Sequence, residues 1–273
     1  MDRLLSYRLG FAVKVLGNGG MKSNDGRRWQ SGPHLSSSLE LLDAVFDYLD
    51  DVDIRVYRLS SSTVPYGTHP DLPQLDYRRQ IGECEKPLAR LGEKASRLGL
   101  RLSTHPGQYS VLSSPDPEIA HKARLDVEQD ALLLDALGTG PEAVVVIHVG
   151  GMYGDARASL DRWVRSFEAL SESARTRLVV EHDERCFDLS DAIELHERTV
   201  SASCSTSTTT AATRLAAGRT SVRRSPLRWT RGQPAFGRRC TCRAHGPSSG
   251  RSVAARGLHF STSTRISSVR GIS

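Results

Sequence analysis

Between residues 7 and 199 short apolar runs alternate with longer amphipathic ones five times, and after residue 200 the alternation stops. This pattern constrains the fold more than any other property of the chain. The runs Tyr7–Val13, Ile54–Leu59, Leu100–Thr104, Ala143–Val149 and Arg177–Glu181 are rich in Val, Ile and Leu and hold no proline, so each reads as a strand. Helical patterns follow them at His34–Leu49, Arg79–Leu98, Pro117–Leu137, Arg157–Glu172 and Leu189–Thr199. In the first of these, the apolar residues at 39, 41, 42, 45, 46 and 49 fall on one helical face. Asp116 or Ser114 is placed to cap the third, with Pro117 in its first turn. Strand and helix in strict alternation mean a parallel sheet.

An open doubly wound sheet and a (β/α)8 TIM barrel both fit that alternation. Polar residues tip the reading toward the barrel. Ser60–His69 follow the second strand, His105–Tyr109 the third, His148–Gly151 the fourth and Glu181–Asp183 the fifth. Barrel enzymes build their sites at the C-terminal ends of the strands. The chain therefore reads as an α/β protein with about five βα units of an eight-unit barrel in residues 1–199, then a Ser/Thr/Arg-rich segment, 200–273. There is no internal repeat.

Charge divides the chain at the same place. Of the 37 Lys and Arg, thirteen Arg fall after Val200, where there is no Asp, Glu or Lys; the first 200 residues thus hold 24 basic against all 31 acidic residues, a net −7. An acidic body with a basic tail ordinarily marks a nucleic-acid-binding tail. No run of about 18 apolar residues is present, so no membrane partner is expected. The N-terminus has no secretory leader pattern. Five cysteines without a paired framework point to a reducing cytoplasm.

The chemistry-bearing residues stand at the strand ends. His69 lies in the turn-rich Pro65–Pro70, His105 opens His105-Pro106-Gly107-Gln108-Tyr109, His148 ends the fourth strand and Glu181 the fifth. A lone histidine beside proline is more often a turn residue, and a strand-end glutamate more often an ion-pair partner. Three histidines and a glutamate at four successive strand ends instead suggest a metal site. Imidazole with carboxylate suits zinc, manganese or iron. Clustered metals activate water and stabilise the oxygens of an in-line phosphoryl displacement. His34, His121, His182 and His196 lie on helical or loop segments and read as structural.

Six segments, in order, closely resemble the bacterial UV-damage endonuclease family: Arg8–Phe11, Arg28–Leu35 (RWQSGPHL), Tyr57–Ser62 (YRLSSS), His105–Tyr109 (HPGQY), His148–Gly151 (HVGG) and Val179–Arg185 (VVEHDER). The resemblance implies a TIM barrel like that of endonuclease IV and sugar isomerases. It implies a cluster of divalent metals, manganese first with magnesium or zinc as alternatives. The implied activity is nicking of UV-damaged double-stranded DNA on the 5′ side of a photoproduct. Carried over by position, His69, His105, His148 and Glu181 would be the catalytic metal ligands, and Gln108 with Tyr109 would enter the duplex at the lesion. An aromatic ring and an amide can replace stacking and pairing lost when bases leave the stack. Two positions depart from the family: Phe11 replaces a usual tyrosine and His182 a usual asparagine.

In a body of charge −7, DNA affinity must come from a local patch. The loop Lys14–Gln30 offers Lys14, Lys22, Arg27, Arg28 and Trp29; Lys14, Arg27 and Arg28 are expected to meet phosphates, against the plainer reading of a solvated loop. Gly17-Asn18-Gly19-Gly20 lacks the Lys-Ser/Thr of a phosphate loop and reads as a turn. The expected protein is a cytoplasmic monomer. Two other functions compete: a different metal-dependent barrel enzyme, such as a sugar isomerase, and a non-enzyme whose basic tail binds nucleic acid. The HPGQY segment favours the nuclease.

The tail has a duller explanation than a DNA-binding arm. The resembled family continues with three more strands, including an Asp and a His pair in a segment like VVFDxxHH and later a KVHLS-like strand. Read one base back, the codons of Val200–Thr210 permit V-R-V-V-F-D-V-Y-H-H, and those of Gly237–Arg243 permit P-K-V-H-L-S. Two motifs in order and in one frame point to a frameshift near Thr199–Val200. GC-rich codons read out of frame also yield Arg, Ala, Ser, Thr and Gly, which accounts for the charge step.

Overall fold

The computed structural model describes residues 8–16, 20–182 and 186–199. The expectations for segment 200–273, its boundary and its out-of-frame motifs lie outside the described residues, as do Tyr7 and the Gly17–Gly19 part of the glycine turn. Five strands form one sheet: β1 (Gly10–Ala12), β2 (Val56–Arg58), β3 (Arg101–Thr104), β4 (Val144–His148) and β5 (Leu178–Glu181). All neighbours are parallel, in the order β1-β2-β3-β4-β5. A doubly wound sheet reverses its order at a switch point. Sequential order does not reverse, and with right-handed crossovers it puts every helix on one face, as in a barrel wall.

Among the described residues seven α-helices accompany the strands: α1 (Leu35–Asp51), α2 (Tyr77–Glu83), α3 (Glu85–Arg97), α4 (Pro117–Ala136), α5 (Ala156–Glu168), α6 (Glu172–Arg177) and, after β5, α7 (Leu189–Thr199). The expected helix Arg79–Leu98 is two. Pro87 has no N–H to give, and its ring would strike the carbonyl of Glu83, so the chain breaks at Cys84. The expected helix Arg157–Glu172 also ends early, because Ser171 starts a new helix by accepting from the Ala174 N–H. Asp116 is the cap of α4, and Ser114 supports it by accepting from the Asp116 N–H.

Residues of alternate parity divide the sheet into two faces. Tyr57, Leu102, Val145, Ile147 and Leu178 join Phe46, Leu88, Val127, Leu134 and Trp163 in the core beneath the helices. Burying each large apolar side chain in this layer contributes about 1.5–3 kcal/mol. Val144, Val146 and Val179 form a separate apolar cluster on the opposite face. Arg58, His148 and Glu181 share that second parity. Their strands end at the same edge, where the loops after β2, β3 and β4 gather. Among the described residues no helix is long and apolar enough to cross a membrane.

Candidate metal centre and adjoining cleft

β4 and β5 pair so that His148 lies directly across from Glu181. His105, one residue beyond β3, completes a group. One ligand atom each from His105, His148 and Glu181 lies within 4.8 Å of the others. Period-two alternation accounts for the convergence, since each residue follows a helix-facing position of its own strand. The imidazoles of His105 and His148 meet edge to face, with ring centroids 5.2 Å apart.

The donor atoms are poised as metal ligands are. The Nδ1 of His105 lies 2.8 Å from the Pro106 carbonyl, which can only accept, so Nδ1 carries the proton and Nε2 presents a lone pair. That Nε2 is 3.7 Å from Glu181 Oε2. Burial is the main cause that pushes the His105 pKa below its ordinary value, and the charge of Arg58 adds to it. The ring is therefore neutral at neutral pH. His148 Nδ1 is buried without a hydrogen-bond partner. A buried lone pair without a donor, a second lone pair oriented by a carbonyl, and a carboxylate between them form a donor set that fits a divalent metal.

His69 stands apart from this group. It is exposed, its Nδ1 accepts from the Asp71 N–H at 3.2 Å, and its ring sits 6.3 Å from that of Tyr66. It lines a cleft of about 490 Å³ with Tyr66, Tyr109, Lys122, Asp126 and Asp130. The cleft has a buried polar floor. Asp130 Oδ2, Gln129 Oε1 and Thr104 Oγ1 are all buried without hydrogen-bond partners. Burial pushes the Asp130 carboxyl from 3.8 up to about 7. Pro106 and Gly107, which line the cleft, immediately follow His105, so the cleft and the ligand strand share a segment.

Gln108 and Tyr109 form the tip of the loop between His105 and the cleft. Both are exposed, Tyr109 at 82%. The tip is pinned from below: the Ser110 N–H bonds the Gly107 carbonyl at 2.8 Å, and the Ser110 hydroxyl donates to Asp126 on α4 at 2.6 Å. An aromatic side chain this exposed makes no contribution to the core.

The loop before α1 divides the expected cations by role. Arg27 donates through Nε and Nη2 to Asp25, at 2.8 and 2.6 Å, and to the carbonyls of Ser31 and Gly32. Asp25 also accepts from the His34 N–H, and the Arg27 hydrogen bond is the main reason its carboxyl falls to about 2. Arg27 is thus committed to bracing its own loop, whereas Lys14 and Arg28 are exposed. Phe11 turns its ring onto Tyr57, 5.5 Å away on the helix side, so the position occupied by tyrosine in the family faces the core here. His182 is exposed.

Sequence reasoning passed over two residues of this region. Arg58 lies inside the YRLSSS segment, where strand alternation opposite Tyr57 could have placed it on the ligand face. Asp130 lies in the apolar stripe of α4, where a carboxylate at a core position is itself a signal.

The model for the family described as UV-endonuclease UvdE matches residues 35–201. The UV DNA damage endonuclease of Clostridium perfringens is 29% identical over 161 residues, covering 59% of this chain and 38% of that protein. The UV DNA damage endonuclease of Bacillus pumilus is 32% identical over 146 residues, 54% of this chain and 44% of that protein. The crystal structure of SacUVDE superposes with a TM-score of 0.62 at 27% identity, covering 71% of this chain and 67% of that one. The chain spans less than half the length of the curated relatives it matches. With the family model matched over more than half of its residues, this chain belongs to the UvdE UV-endonuclease family.

Proposed function

We propose that this chain carries the first five βα units of a metal-dependent endodeoxyribonuclease that hydrolyses a phosphodiester on the 5′ side of a UV photoproduct. The observation that carries the reading is the convergence of His105, His148 and Glu181 at three successive strand ends, beside the exposed Gln108–Tyr109 tip. His105 and His148 would hold a divalent metal through ring nitrogens and Glu181 through its carboxylate. Such a metal supplies a Lewis acid and an activated water. We assign manganese first, with magnesium or zinc as alternatives, in a cluster. His69, outside the three-residue group, would serve a further ion of that cluster.

The chain's own residues set the rest. The Pro106 carbonyl holds the His105 tautomer, burial keeps that ring neutral, and the Ser110–Asp126 bond keeps the tip projecting toward solvent. Gln108 and Tyr109 would enter duplex DNA at the lesion, where damaged bases stack and pair least well. Lys14 and Arg28 would meet backbone phosphates, with Arg27 shaping their loop. The enzyme so read is a cytoplasmic monomer. Its partner ligands belong to the segment that the one-base shift displaces, so nicking by this chain is impaired.

The test compares this chain with its one-base-restored version on UV-irradiated and intact supercoiled plasmid with Mn²⁺. The restored chain is expected to nick damaged plasmid, and its His148→Ala variant to lose nicking. Equal cutting of damaged and intact DNA, or cutting that survives chelation, would overturn the reading.

A further inference from the structure

The other arginines of the sheet region are tied down. Arg55 pairs with Asp50 at 2.8 Å and Asp53 at 3.1 Å. Arg101 donates to the Glu142 carbonyl at 3.2 Å. Arg177 is buried and bonds Asp135 and the carbonyls of Thr139, Gly140 and Ala143. Arg58 differs. It is half-buried at the end of β2, yet among the described residues no acceptor or ion-pair partner meets its guanidinium.

Its direction follows from parity. Tyr57 is wholly buried on the helix side, so Arg58 faces the opposite way, with the metal-donor group. Its register partner on β3 is Ser103, two residues before His105 and of the same parity.

A half-buried cation without a counter-ion is costly. A cation beside metal donors also weakens metal binding, unless an anion joins them. The guanidinium is a planar fork of donors whose geometry matches two oxygens of a phosphate. We propose that Arg58 is a substrate-binding residue, an anion clamp that takes the non-bridging oxygens of a phosphate diester beside His105, His148 and Glu181. This rests on the phosphodiester reading above and deepens it, since it names a direct phosphate contact that the family resemblance did not supply.

The test uses the full chain freed of metal by chelation, with inorganic phosphate as the probe, read by calorimetry or ³¹P line broadening. Mn²⁺ binding is measured separately. The wild type is expected to take up phosphate, and Arg58→Gln to weaken it at least about tenfold, the scale of a charge-assisted pair. Arg58→Lys keeps the charge without the fork and is expected to fall between the two, while both variants retain Mn²⁺ binding. Four outcomes overturn the proposal: no phosphate uptake by the wild type; unchanged phosphate affinity in Arg58→Gln; tighter Mn²⁺ binding there with no phosphate loss; or a lower melting temperature with phosphate affinity unchanged, the mark of a structural ion pair. Failure of the nuclease reading shows separately, as absent Mn²⁺ binding or undiscriminating DNA cleavage. In that case a phosphate loss in Arg58→Gln would still stand.

Discussion

His105 Nε2 and Glu181 Oε2 lie 3.7 Å apart, although the two residues come from strands separated by β4. The gap is too long for a hydrogen bond and suits two donors to one ion.

Removing a donor from the group of His105, His148 and Glu181 should therefore be read in metal affinity first. Glu181→Gln and His148→Ala are each expected to weaken Mn²⁺ binding by at least about tenfold, the lower end of what even supporting residues contribute. Electron paramagnetic resonance titration of free Mn²⁺ checks this. Unchanged affinity in both variants would remove the three residues from any metal site.

Asp130 gives a pH prediction. Its folded pKa, about 7, lies above the ordinary 3.8 because the carboxyl is buried. The folded state thus keeps a proton that the unfolded chain releases. The contribution is fully present below about pH 4 and is lost as pH rises through 7, an amount of the order of 4 kcal/mol. Asp130→Asn cannot ionise, and its amide can donate toward the unpartnered Thr104 or Gln129 oxygens. The variant's melting temperature is expected to gain steadily on the wild type's as pH rises from 5 to 8.5. Melting curves that stay parallel across that range would show that Asp130 is not held protonated.

Gly92 predicts a packing defect. A Cβ there would lie 1.7 Å from the Leu137 carbonyl oxygen and 2.7 Å from its carbon, both backbone atoms that cannot swing away. Alanine gains about 1 kcal/mol of helix propensity in α3. Overpacking costs about 1–3 kcal/mol and more against backbone. Gly92→Ala is expected to lower the urea midpoint with its slope unchanged. A midpoint at or above that of the wild type would mean that α3 and α4 part easily.

The frameshift inferred from the codons makes its own prediction. Nucleotide sequencing across codons 195–215 is expected to show a one-base departure that restores V-R-V-V-F-D-V-Y-H-H when corrected. An intact frame supported by deep reads would leave the basic segment as a real tail.

Strands β2 to β5 were legible because each carries β-branched or aliphatic residues and ends in a polar one. Val144–His148 falls inside the expected Ala143–Val149. β1 is shorter than expected: Val13 takes a φ of 57°, which a β-branched residue tolerates only under constraint and which ends the strand there. The two split helices were missed for a local reason, as Pro87 and Ser171 act on the backbone without disturbing apolar periodicity. The three-donor group was readable residue by residue, since strand parity alone aims His105, His148 and Glu181 together. The separation of His69 was not, because it hangs from a long loop whose course depends on packing against α4. The commitment of Arg27 to Asp25 was equally hidden, for a carboxylate two residues away says nothing about which partner a guanidinium takes.

The donor group comes from three consecutive strands, β3 to β5, and nothing in it lies beyond residue 181. During synthesis it is therefore complete once the fifth strand has left the ribosome, before any later unit exists. A metal captured at that stage binds the folded arrangement and not the open chain, so it would stabilise the nascent half-barrel by mass action. On the proposed reading the ion would serve as a folding ligand for the incomplete wall before serving chemistry.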